Sequence, residues 1–91
     1  MRRAARVDDT KSDIVTALRK IGAHVAHLHT VGGGIPDLLV SFRGRTYLAE
    51  CKTGSVGWKL TDAQRDFHAS WPEKILIFTG VADVALWANR Q

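Results

Sequence analysis

Asp37, Glu50 and Lys52 are the residues whose types and spacing point most directly to chemistry. They lie in the stretch from Gly32 to Lys52, which reads GGGIPDLLVSFRGRTYLAECK. Two apolar runs, IPDLLVSF and RTYLAECK, are separated by an Arg43-Gly44 step, the pattern of a β-hairpin. A two-residue loop there sets Asp37 across from Glu50, Leu38 across from Ala49 and Val40 across from Tyr47. Side chains alternate faces along a strand, so Asp37, Glu50 and Lys52 share one face. Leu38, Val40, Phe42, Tyr47, Ala49 and Cys51 share the other and suit a core. Directly opposed side chains lie roughly 4.5–5.5 Å apart at Cβ, and two carboxylates that close repel unless a cation lies between them. A divalent metal with oxygen ligands is the natural occupant.

The elements that must position this hairpin follow from periodicity. A helix begins near Thr10 or Ser12, either of which can cap it. Ile14, Val15, Leu18 and Ile21 recur at helical spacing as its buried stripe. Arg19 and Lys20 suit the negative end of the helix dipole, and Gly22 suits the terminating left-handed position. Ala23 to Thr30 reads as a first strand, with His27 and His29 on one face and His24 on the other. After the hairpin, Thr61-Asp62-Ala63-Gln64 makes a capping box that opens a second helix. Ala63, Phe67 and Trp71 form its inward stripe, and Pro72 ends it. Lys74 to Thr79 (KILIFT) is a buried strand by its unbroken apolar run. Val81 to Asn89 closes the chain as a short helix packing Val81, Val84, Ala85 and Ala88. The order helix, three strands, helix, strand, helix describes an α/β fold with a mixed central sheet flanked by helices.

Ninety-one residues allow one domain and a modest core. We divide the chain into a mobile basic arm over residues 1–9, carrying Arg2, Arg3 and Arg6, and a single folded unit over residues 10–91. Thirteen Lys and Arg against nine Asp and Glu leave a net charge of +4, a balance that suits a polyanionic partner. The single Cys rules out an internal disulfide and fits a reducing compartment. No apolar run approaches the ~18 residues of a membrane span, and the basic N-terminus has no apolar segment behind it. A cytoplasmic protein with no membrane association is the simplest expectation.

Gly32, Gly33 and Gly34 lack the Lys-Ser/Thr and following helix of a phosphate loop. They read as a turn that admits a close backbone approach and shapes access to Asp37. A zinc set of His27, His29 and Cys51 is disfavoured because Cys51 points to the apolar side. Trp58 and Lys59 sit in a polar, Gly-bearing loop from Thr53 to Leu60. Trp58 can stack on a base, close a core or meet a second subunit.

The pairs Pro36-Asp37 and Glu50-Cys51-Lys52 resemble the signature of the PD-(D/E)xK nucleases. With GGGIPDLLV before them and KLTDAQRDFHASW after, most of the chain is similar to the VRR-NUC branch, especially its small stand-alone phage and bacterial members. The resemblance implies a restriction-endonuclease-like αβββαβ core and a metal-dependent deoxyribonuclease selective for junction, flap or other branched DNA. Asp37, Glu50 and the backbone carbonyl of Cys51 would then hold Mg²⁺ or Mn²⁺, with Lys52 and Gln64 completing the catalytic set. A glutamate on the first helix often assists in this fold; its position here is Lys11, and Asp13 is the candidate substitute. Gln64 also has its capping role, and the two are hard to satisfy at once. Arg2, Arg3, Arg6, Gly33, Gly34, His29 and Lys59 are the candidate DNA contacts. A homodimer would present two such sites to a branched or duplex substrate, with the Thr53–Leu60 loop and the last helix with Trp87 as candidate contact patches. The alternative is the same fold kept as a non-catalytic binding module for branched DNA, which the missing helix glutamate favours.

Overall fold

The computed structural model describes residues 10–53 and 57–91. The expected arm with Arg2, Arg3 and Arg6 lies outside the described residues, as do residues 54–56 of the Thr53–Leu60 loop. The element order is α1 (Thr10–Lys20), β1 (His24–His27), β2 (Leu38–Phe42), β3 (Arg45–Cys51), α2 (Asp62–Ser70), β4 (Leu76–Phe78) and α3 (Val81–Ala88). One four-stranded sheet runs β1-β2-β3-β4. The first two pairings are antiparallel and β3 pairs with β4 in parallel, so the sheet is mixed. Among the described residues no helix is long and apolar enough to cross a membrane.

The β2–β3 register is the one the two-residue loop demands, with Leu38 opposite Ala49 and Val40 opposite Tyr47. Arg43 and Gly44 both take positive φ, 52° and 79°, the type I′ geometry whose twist matches the flanking strands. Alternation then sends Leu38, Val40, Phe42 and Ala49 into the core with Ile14, Val15 and Leu18 of α1 and Val84 and Trp87 of α3. Helices α1 and α3 pack on each other and share this face. Glu50, on the opposite face, meets α2.

Several expectations are corrected by the packing. Ile21 is 39% exposed rather than part of the buried stripe. Ala23 N–H donates to Leu18 O and Gly22 N–H to Arg19 O, a paired closure with Gly22 at φ 93° that ends α1 one residue before Ile21. Strand β1 stops at His27 because Val31 N–H turns back onto Leu28 O. Strand β4 has three residues, half-buried at Leu76 and Ile77, because it lies at the sheet edge. In α2, Ala63 and Trp71 are exposed and the half-buried face is Gln64, Phe67 and His68, rotated from the expected stripe by the polar contacts described below. In α3, Val81 and Ala85 are exposed while Trp87 is buried. Trp87 packs on Phe42, Tyr47 and Phe78, with ring centroids 5.1, 5.1 and 5.7 Å away. It belongs to the core.

The glycine run approaches α2 directly. A side chain at Gly34, which has φ +81°, would run into the Ala63 carbonyl, whereas Gly33, at φ +68°, faces open space. Any L-residue in that left-handed region costs roughly 1–2 kcal/mol. We therefore expect Gly33→Ala to lower thermal stability by about that amount. Gly34→Ala must also push the loop off α2 and should cost clearly more in a melting experiment. Equal melting temperatures for the two variants would refute this packing.

Candidate active site

The site forms at the end of the sheet away from the hairpin turn, where the N-terminal turns of α1 and α2 converge. Asp37 precedes β2, Glu50 and Cys51 end β3, and Lys52 follows. The Cys51 N–H donates to Asp37 Oδ2 at 2.8 Å, which ties the acidic residue of one strand to the end of the next. Cys51 is in extended backbone, so its carbonyl points to the same side as its N–H, toward Asp37. Its own thiol faces the core and is pushed up to about 12, by burial first and then by the Asp37 charge. A protonated, half-buried thiol is neither nucleophile nor metal ligand.

Glu50 is fully buried. Its Oε2 lies 3.1 Å from His68 Nε2, and its Oε1 accepts from Gln64 Nε2 at 3.5 Å. Burial raises the Glu50 pKa above the ordinary carboxylate range. The negative charge of Asp37 and a hydrogen bond with its carboxyl raise it further, and His68 opposes both. The carboxyl pair read from the hairpin register is thus close enough for each charge to act on the other.

Gln64 joins the parts. Its Oε1 accepts from Lys52 Nζ at 2.7 Å and from the Thr61 N–H at 2.9 Å, while its own N–H donates to Thr61 Oγ1 at 3.2 Å. The capping box is complete, and the same side chain holds Lys52 and Glu50. The capping role does not exclude contact with Lys52 and Glu50, because the amide oxygen takes two donors and the amide nitrogen remains for the carboxylate.

His68 is the residue that sequence reasoning missed. It stands four positions after Gln64, hence on the same helix face, and that spacing was the available signal. Lys11 reaches the site as well, with Nζ 3.9 Å from Asp37 Oδ1. Asp13 does not: it is exposed, and two helical residues place it roughly 200° round α1 from Lys11. His29 and Lys59 are exposed, His29 in edge-to-face contact with His27 at 6.0 Å. Trp58 is half-buried and lines a cleft of about 540 Å³ with Phe78, Leu86 and Trp87.

Among the described residues no group of three or more His, Cys, Asp or Glu converges as a metal site. The candidate set is different in kind: two carboxylates and a main-chain carbonyl, all hard oxygen donors. Mg²⁺ is typically held by one or two carboxylates with water and phosphate completing the shell. Each carboxylate offers about four lone-pair sites, so the contacts of Asp37 with Cys51 and Lys11 and of Glu50 with Gln64 and His68 leave both with capacity for an ion. The donor chemistry fits such a cation. Comparison with protein-family models, curated proteins and solved structures finds no match to this chain.

The raised Glu50 pKa has a sign that can be tested. Its carboxyl is more easily protonated folded than unfolded, so the stability it contributes is present below its unfolded pKa and is lost as pH rises through the higher folded value. In metal-free buffer at neutral pH, Glu50→Gln should therefore melt higher than the parent, by roughly 4–8 °C for each kcal/mol relieved. That advantage should vanish as pH falls into the ordinary carboxylate range. A lower melting temperature for the variant at neutral pH would overturn this reading of the carboxyl pair.

Proposed function

We propose that this chain is a metal-dependent deoxyribonuclease of VRR-NUC type on a restriction-endonuclease-like core, acting on branched or duplex DNA. The observation that carries the reading is the hydrogen-bonded series Lys52–Gln64–Glu50, with Asp37 beside Glu50. An ordinary surface ion pair would leave Lys52 and Glu50 mobile and exposed, and would contribute little. Here the carboxylate is fully buried, and the amine is half-buried and held by a side chain that is itself fixed in a helix cap.

Asp37, Glu50 and the Cys51 carbonyl would hold Mg²⁺ or Mn²⁺. Such an ion, when bound, acidifies water and offsets charge on the scissile phosphate. The protein's own contribution is positional. Gln64 fixes the Lys52 ammonium where it can orient the attacking water and stabilise negative charge that develops on the phosphate. His68 and Gln64 hold both oxygens of Glu50, so the ligand does not have to be ordered when the ion arrives. Gly33, with open space above its backbone, lets a phosphate chain pass close to Asp37. The net charge of +4 favours the polyanion, and a cytoplasmic setting, the host's for a phage-encoded chain, fits the reading.

The binding-module alternative is favoured by one observation: Lys11 stands where the resemblance leads one to expect an acid. Cleavage of end-labelled duplex, flap and four-way junction DNA with and without Mn²⁺ separates the two, since a binding module gives intact DNA in both. Lys52→Ala should retain folding and DNA binding but lose about a hundredfold or more in cleavage rate, the scale of losing one transition-state donor. Parental rates in that variant would remove Lys52 from the mechanism.

A homodimer belongs to the same reading, with its contact moved from Trp87 to the exposed face around Trp71. Trp71 is 40% exposed and stacks on Phe67 at 5.2 Å, and with Leu39 and Leu48 it lines a groove of about 810 Å³. Light scattering should give about twice 10.0 kDa, falling to one chain in Trp71→Glu. One-chain mass in the parent protein, with junction DNA present, would exclude the dimer.

A further inference from the structure

The deepest departure from the resemblance is Lys11, and its position has a consequence for the number of ions the site takes. Nζ of Lys11 faces Asp37 Oδ1 at 3.9 Å, while Asp37 Oδ2 accepts from the Cys51 N–H. The side chains of Lys11 and Asp37 are 34% and 24% exposed, so the pair is shielded on most of its surface.

In two-ion phosphodiesterases the metals lie roughly 3.5–4 Å apart, a spacing that requires a carboxylate shared between them. Glu50 is poorly suited to share, being fully buried with His68 and Gln64 on its two oxygens. Asp37 is the remaining candidate, and an ammonium already faces its outer oxygen. Two cations at one carboxylate oxygen repel strongly in a partly shielded site. No other acid among the described residues joins Asp37 and Glu50 in a metal-binding group, so a second divalent ion would lack a carboxylate to offset it.

Charge balance leads to the same place. One divalent ion neutralises Asp37 and Glu50. Lys11 and Lys52 then supply two positive charges to a phosphodiester whose pentacoordinate transition state carries two negative ones. A second divalent ion would leave the site with an uncompensated excess.

We propose that Lys11 occupies the place of a second cation, so that the site works with one divalent ion and the Lys11 ammonium supplies the remaining charge. This rests on the nuclease reading above. The test is calorimetric titration of the full chain with Mn²⁺, paired with electron paramagnetic resonance of the loaded protein. The parent should bind one ion per chain, with the six-line spectrum of an isolated Mn²⁺, and Asp37→Asn should lose it. Lys11→Ala should still bind one ion, about twofold to fivefold more tightly, because the ammonium no longer competes for Asp37. Lys11→Glu should take a second ion and show an exchange-coupled multiline spectrum. Two coupled ions in the parent would overturn the inference while leaving the metal site intact. One ion in Lys11→Glu, with the chain folded, would also overturn it by removing Lys11 as the determinant. No Mn²⁺ uptake by either the parent or Asp37→Asn would overturn the nuclease reading and this inference together.

Discussion

Everything at the sheet end depends on burying the Glu50 carboxylate. A carboxylate taken fully out of water is costly unless it is hydrogen-bonded and its charge is offset. Glu50 obtains hydrogen bonds from one helix face, through Gln64 and His68 of α2. That requirement sets the rotation of α2. A helix docked by apolar side chains alone would have turned Ala63 and Trp71 inward; here they are exposed and the polar pair is half-buried. The helix contributes no fully buried residue to the core, and its seat on the sheet is made of polar contacts and of Gly34 against Ala63.

This arrangement links local and tertiary structure through one amide. Gln64 closes the α2 cap and grips Lys52 with the same oxygen. The helix start and the placement of the amine are consequently one event, and a side chain with a flexible four-carbon stem is held by an amide oxygen. On the other side of the carboxyl pair, α1 delivers Lys11 to Asp37. The two helices approach the same sheet end from opposite faces, α1 bringing Lys11 to Asp37 and α2 bringing Gln64 and His68 to Glu50. The apolar layer beneath, centred on Trp87 against Phe42, Tyr47 and Phe78, keeps β2 and β3 in the register that brings Asp37 to Glu50.

How much of this was legible before folding depends on the range of the interactions. The β2–β3 hairpin, its register and its two faces could be read from the chain, because a two-residue Arg-Gly loop and strict alternation are local constraints. The α2 capping box and the α1 terminus at Gly22 were legible for the same reason. Which face of α2 turns inward was set by contacts between elements distant in the chain. His68 therefore stayed hidden, although its spacing from Gln64 pointed to it. Periodicity also could not tell the buried Trp87 of α3 from the exposed Trp71 at the C-cap of α2, since the difference lies in whether aromatic partners wait on the facing strands. The contact of Lys11 with Asp37 is of the same kind: a residue's charge is written in the chain, but which acid it meets is set by how α1 crosses the sheet.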